Sequence, residues 1–139
     1  MKKFKLTSEF IVDISGVKLF RIKALIEFGN VKAGDLGGYI EKEENLSHMG
    51  NAWVSGNAQV SGDARVSGDK DYAYAHGFGS CNRTTTFFRL KDGDVGVRCG
   101  CFYGTLAQFR DKVCETHGET KKAQEYLMLA DLMEIRFKN

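Results

Sequence analysis

Valine recurs every six residues at Val54, Val60 and Val66, and alanine at the same interval at Ala52, Ala58 and Ala64. A period of six is a multiple of two and a poor fit to 3.6, so the stretch from Gly50 to Asp69 predicts short strands rather than a helix. Within each unit alanine and valine stand two apart and face one side of the strand. Gly50, Gly56, Gly62 and Gly68 are each followed by Asn or Asp, steps that permit the left-handed corners separating one strand from the next. The varied position holds Trp53, Gln59 and Arg65, which this alternation points outward. The pattern stops at Asp69-Lys70-Asp71, where charges stand in the place of the next alanine.

Before the repeat, Lys3 to Thr7 and Val17 to Phe28 read as strands, the alternation being clearest from Leu19 to Lys23. Gly29-Asn30 and Gly34-Asp35 read as turns. After it, Asp71 to Cys81 is rich in glycine and aromatics and reads as a connector. Arg83 to Leu90 has the β-branched and aromatic content of a strand, Lys91 to Asp94 reads as a hairpin turn, and Val95 to Tyr103 is the partner strand. Thr105 suits a helix N-cap, with Gln108 at the capping-box position. Leu106, Phe109 and Val113 form the apolar stripe of that helix, and His117-Gly118 closes it. A second helix from about Thr120 to Glu134 buries Ala123, Tyr126, Leu127, Ala130 and Met133, and Ile135 to Phe137 either ends it or returns as a strand.

The units VSGNAQ from Val54, VSGDAR from Val60 and VSGD from Val66 resemble hexapeptide repeats of left-handed β-helix proteins. The stretch from Gly34 to Val54 resembles the lead-in of such proteins in phages and prophages. The resemblance implies an α+β chain: a short left-handed parallel β-helix, then a small C-terminal domain of a β-hairpin and two helices. Residues 1–36 read as an N-terminal cap, 37–71 as the repeat and 72–139 as the C-terminal domain. Fewer than two coils bury little apolar surface, so a homotrimer through the β-helix is expected, with Trp53 and Arg65 at its interface.

Twenty basic and 18 acidic residues give a net charge of +2, too balanced to indicate nucleic-acid binding. No apolar run approaches bilayer length and the N-terminus lacks a signal-peptide apolar region, so a cytoplasmic location is expected, the host cytoplasm if the chain is phage-encoded. The four cysteines are then expected to be reduced.

Three chemistries have residues to carry them. Cys99, Cys101, Cys114 and His117 offer a Cys3His zinc set, but Cys99 and Cys101 lack the usual Cys-X2-Cys knuckle, and neither a metal nor another cofactor is expected. The same thiols and histidine offer a Cys–His nucleophile, with nothing marking one thiol as activated. Arg83, Arg89 and Arg98, with His76, Asn82 and Thr84, offer an anion site, because arginine forks match phosphate oxygens. About the turn, Arg98 should stand opposite residue 87 or 88, which makes Arg89 a diagonal neighbour. Acyl transfer is the activity best known among hexapeptide-repeat proteins, and His48 is the one histidine near the repeat. The reading adopted is a non-enzymatic, phage-type trimeric binding protein. It would sequester a small phosphate-bearing, nucleotide-like ligand or bind a host component, as an anti-defence protein does. A hexapeptide acyltransferase and a structural particle component are the alternatives.

Overall fold

Phe4, Ile22 and Ala24 point inward from a hairpin of β1 (Phe4–Val12) and β2 (Lys18–Ala24), paired antiparallel with Phe4 opposite Ala24. β2 pairs antiparallel with β3 (Leu36–Ile40). One turn of 3-10 helix at Glu43–Asn45 leads into the repeat, of which only β4 (Gln59–Val60) pairs as a strand, parallel to β3. The second sheet is an antiparallel meander of β5 (Tyr72–Phe78), β6 (Arg83–Arg89), β7 (Val95–Cys99) and β8 (Phe102–Thr105). Two helices follow, α1 (Leu106–His117) and α2 (Lys121–Arg136). This computed structural model describes residues 2–12, 16–68, 71–78, 83–99 and 102–138, with Phe78 and Arg83 described in the backbone alone.

The chain therefore does not form the left-handed parallel β-helix that the repeat suggests. It forms two four-stranded, mostly antiparallel sheets and two C-terminal helices. The side-chain direction of the repeat is nevertheless as its period requires: Ala52, Val54, Ala58, Val60, Ala64 and Val66 are all buried, packed with Phe4, Ile22, Ile40 and Leu46. What the units lack is further copies to pair with. One side of the repeat bonds to the lead-in, through Gly38 N–H to Val54 O, Tyr39 N–H to Ala58 O and Ser47 N–H to Val66 O. The other side is closed by the second sheet, through Gln59 N–H to Thr86 Oγ1 and Arg65 N–H to Arg89 O. Backbone groups that would otherwise need another coil are satisfied by β6, and propagation ends there.

Trp53 does not face outward as an interface residue. It is 8% exposed, edge-on to Phe28 at 5.4 Å between ring centroids. The loop after β2 folds Phe28 over the face that alternation alone leaves open. Arg65 is half-buried beside β6, so both residues assigned to the trimer interface contact their own chain. Gly62 has φ of +63°, and a Cβ there would run into the Tyr103 hydroxyl, so glycine lets the two units touch. Burial pushes the Tyr103 phenol above its ordinary pKa.

Two other elements differ from their sequence pattern. Tyr72 to Phe78, read as connector, is an edge strand whose register on β6 runs from Tyr72 opposite Phe88 to His76 opposite Thr84. Val95 to Tyr103, read as one strand, contributes to two antiparallel strands, β7 and β8, with Cys99 opposite Phe102. The helices match their capping signals. Thr105 Oγ1 accepts from Gln108 N–H and the Gln108 side chain accepts from Thr105 N–H, while Thr120 caps α2. The second core joins Phe87, Val97, Phe109, Val113, Tyr126 and Ala130 between β6, β7 and the helix pair.

Candidate functional site

The register of β6 on β7 separates the predicted anion cluster. Arg98 stands opposite Thr86, one residue from the expected position, and that difference reverses the face. Arg98 joins Thr84 and Thr86 on the side toward the repeat, while Arg89 joins Phe87 on the side toward the helices. Arg98 is 3% exposed, donates from Nε to Ser61 Oγ at 3.0 Å and lies over the Tyr103 ring at 5.5 Å. His76 Nδ1 and Thr84 Oγ1 are 2.9 Å apart at the exposed end of that face. Asn82 and the Arg83 side chain lie outside the described structure. Arg89 and Arg98 are thus not brought together, and each is engaged in holding the fold.

Arg89 is one half of a clasp. Its Nε lies 3.1 Å from Asp71 Oδ1, and its Nη2 donates to the Phe137 carbonyl at 3.1 Å, where α2 ends. Asp71 Oδ2 accepts from the backbone N–H and the hydroxyl of Ser67, near the end of the repeat. Burial raises the Asp71 carboxyl, but the Ser67 and Arg89 bonds outweigh it and hold the group below the ordinary carboxylate range. The sign follows from linkage: stability from this carboxylate is present above the unfolded pKa and is lost as pH falls through the folded one. Asp71→Asn should cost about 2 kcal/mol at neutral pH, the scale of a charge-assisted hydrogen bond. Denaturant unfolding of both proteins down to acid pH should show the gap closing; an equal gap at every pH would refute the clasp as an acid-sensitive tie.

His48 is held structurally. Its Nδ1 accepts from Lys3 N–H at 3.1 Å, its Nε2 lies 3.0 Å from Glu43 Oε1, and its ring stacks on Phe4 at 4.1 Å. Lys3 itself is buried, with its ammonium donating to the Ala52 carbonyl over the Phe28 ring, and burial lowers its pKa. Of the candidate zinc ligands, Cys101 lies outside the described residues, Cys114 is exposed on α1, and Cys99 Sγ lies 3.6 Å from Tyr126 Oη. His117 stacks on Tyr126 with centroids 5.8 Å apart. Among the described residues no group of three or more metal-binding side chains converges.

The feature that sequence reading passed over is the outer face of α2. Met128, Leu132 and Ile135 are 71%, 55% and 72% exposed. Their spacing of four and then three puts them on one helical stripe, opposite the buried stripe of Ala123, Tyr126, Ala130 and Met133. The signal was present: once those four positions and the flanking Leu127 and Leu129, which pack against the same core, are assigned inward, the remaining large apolar residues of α2 are periodic rather than scattered. Beside α2 a groove of about 430 Å³ runs between Leu106, Arg110, Glu134 and Phe137. At its edge Arg110 is bonded at 2.8 Å to both Asp131 and Glu134. No described helix is long and apolar enough to cross a membrane. The chain matches no protein-family model, no curated protein and no solved structure.

Proposed function

We propose that this chain is a non-enzymatic interaction protein whose working surface is the outer stripe of α2. The observation that carries this reading is the periodic exposure of Met128, Leu132 and Ile135 on a helix whose other face is fully packed. Large apolar side chains repeated along one exposed face lower the free energy only when something covers them, and covered apolar stripes are how helices recognise partners. Three of the polar side chains singled out for chemistry are engaged within the fold: Arg98 with Ser61, Arg89 with Asp71, and His48 with Lys3 and Glu43. A photo-reactive amino acid at Leu132, tested in producing cells, should yield one discrete adduct. The same probe at exposed Glu119 should not. No adduct at Leu132, or the same mixture at both positions, would overturn the reading.

A further inference from the structure

We infer that the outer stripe of α2 is covered by a second copy of this chain, with the two α2 helices packed antiparallel about a two-fold axis. This rests on the reading of α2 as the contact surface and names its occupant. A two-fold interface must be self-complementary, each residue meeting in the partner what the partner meets in it. The stripe has that symmetry. Leu132 lies near its midpoint, with Met128 four residues before and Ile135 three after. Placing the axis at Leu132 sets Met128 against the second copy's Ile135, and Ile135 against its Met128. Three apolar pairs then close without a gap.

The flanking charges select the antiparallel direction. Glu125 and Arg136 are both exposed and lie on the same flank of the stripe, one near each end. In an antiparallel pair like flanks meet, so Glu125 comes within about 4.5 Å along the helix axis of the second copy's Arg136, a gap two long side chains span, and the contact occurs twice. In a parallel pair the two Glu125 residues come level, as do the two Arg136 residues, and neither finds an opposite charge at its own height. Asp131, on the other flank, approaches its own copy near the axis. Its charge is already countered by Arg110 at 2.8 Å, so it does not oppose the pairing. A stripe one helix wide covers a few hundred Å², below the roughly 800 Å² per partner of a standard stable interface. The dimer should therefore form reversibly at about micromolar concentration.

The test is sedimentation velocity on the full chain from about 1 µM to about 500 µM. Wild type should pass from monomer to dimer across that range. Leu132→Glu, which places two carboxylates at the axis, should weaken dimerisation at least about tenfold with an unchanged melting curve. Glu125→Arg should also weaken it, and adding Arg136→Glu should restore it, which holds only if the two positions meet across the interface. Because Arg136 also donates to the Tyr72 carbonyl at 3.4 Å, the melting curve of each variant is read alongside. If Leu132→Glu does not fold, the charge-reversal pair still decides. A monomer at every concentration would overturn the inference. If the Leu132 probe nevertheless captures a different protein, the contact-surface reading stands without it. Dimers or trimers that ignore Leu132→Glu, or no recovery in the doubly reversed variant, would also overturn it.

Discussion

Asn45→Ala should destabilise the fold by about 3–5 kcal/mol, although the side chain is small and touches no proposed working surface. Asn45 is 0% exposed and makes four hydrogen bonds, all to backbone. Its Oδ1 accepts from the N–H groups of Glu41 and Lys42 at 3.2 and 3.1 Å, which closes the turn before the repeat. Its Nδ2 donates to the carbonyls of Gly62 and Ala64, both at 3.1 Å, which fixes the last corner of the repeat against that turn. One amide thus joins segments about 20 residues apart, with donor and acceptor each used twice. Alanine removes the bonds to Lys42 N–H and to the Gly62 carbonyl, at about 1–3 kcal/mol for each that stays buried, and the second bond of two further groups: Glu41 N–H, which also donates to Val60 O, and Ala64 O, which also accepts from Arg65 Nη1. Asn45→Asp separates the two halves of the argument. A carboxylate still accepts from Glu41 and Lys42, but it repels the two carbonyls, so it should be no milder than alanine. Urea unfolding measures both variants. A wild-type midpoint for Asn45→Ala would mean that water takes over all four bonds.

Nothing in the sequence marks Asn45 for this role, and the reason is general to what was and was not legible. Side-chain direction along the repeat is set by neighbouring residues alone, so the period of six correctly places its valines and alanines in the core. Which strand the repeat pairs with depends on segments far along the chain. The same six-residue units could stack on more of themselves or be closed by a different sheet, and here β6 closes them. The helices were legible because caps and apolar stripes are local. Arg98 shows the opposite case. A charged residue in a strand reads as surface, yet a register one residue from the expected one turns it into the seam between the two units. Tyr72 to Phe78 was obscured by its glycine and alternating small residues, which read as a loop until β6 lies beside them. On α2 the inward stripe is legible from its apolar spacing and the outward one is not, because a helix packed on one side is expected to carry polar residues on the other.

Trp53→Ala should cost about 3–5 kcal/mol, and the loss should not depend on protein concentration. Outward alternation made Trp53 a subunit contact, for which truncation would weaken assembly and leave the monomer intact. The structure gives the indole a different position. It lies edge-on to Phe28, and a Cβ added at Gly37 would come within 2.7 Å of its ring, so β3 passes directly against it. Phe28 in turn lies beneath the Lys3 ammonium at 4.5 Å. Removing the indole opens a cavity bounded by backbone on one side, where little can collapse to fill it, and takes away the face on which Phe28 rests. Trp53→Phe keeps most of the volume and should recover more than half of the loss. Trp53 is the single tryptophan of the chain, so its fluorescence reports unfolding in wild type, and circular dichroism serves for both variants. Equal losses at low and high protein concentration are expected. A Trp53→Ala protein with wild-type monomer stability and weakened self-association would return this side chain to a subunit interface.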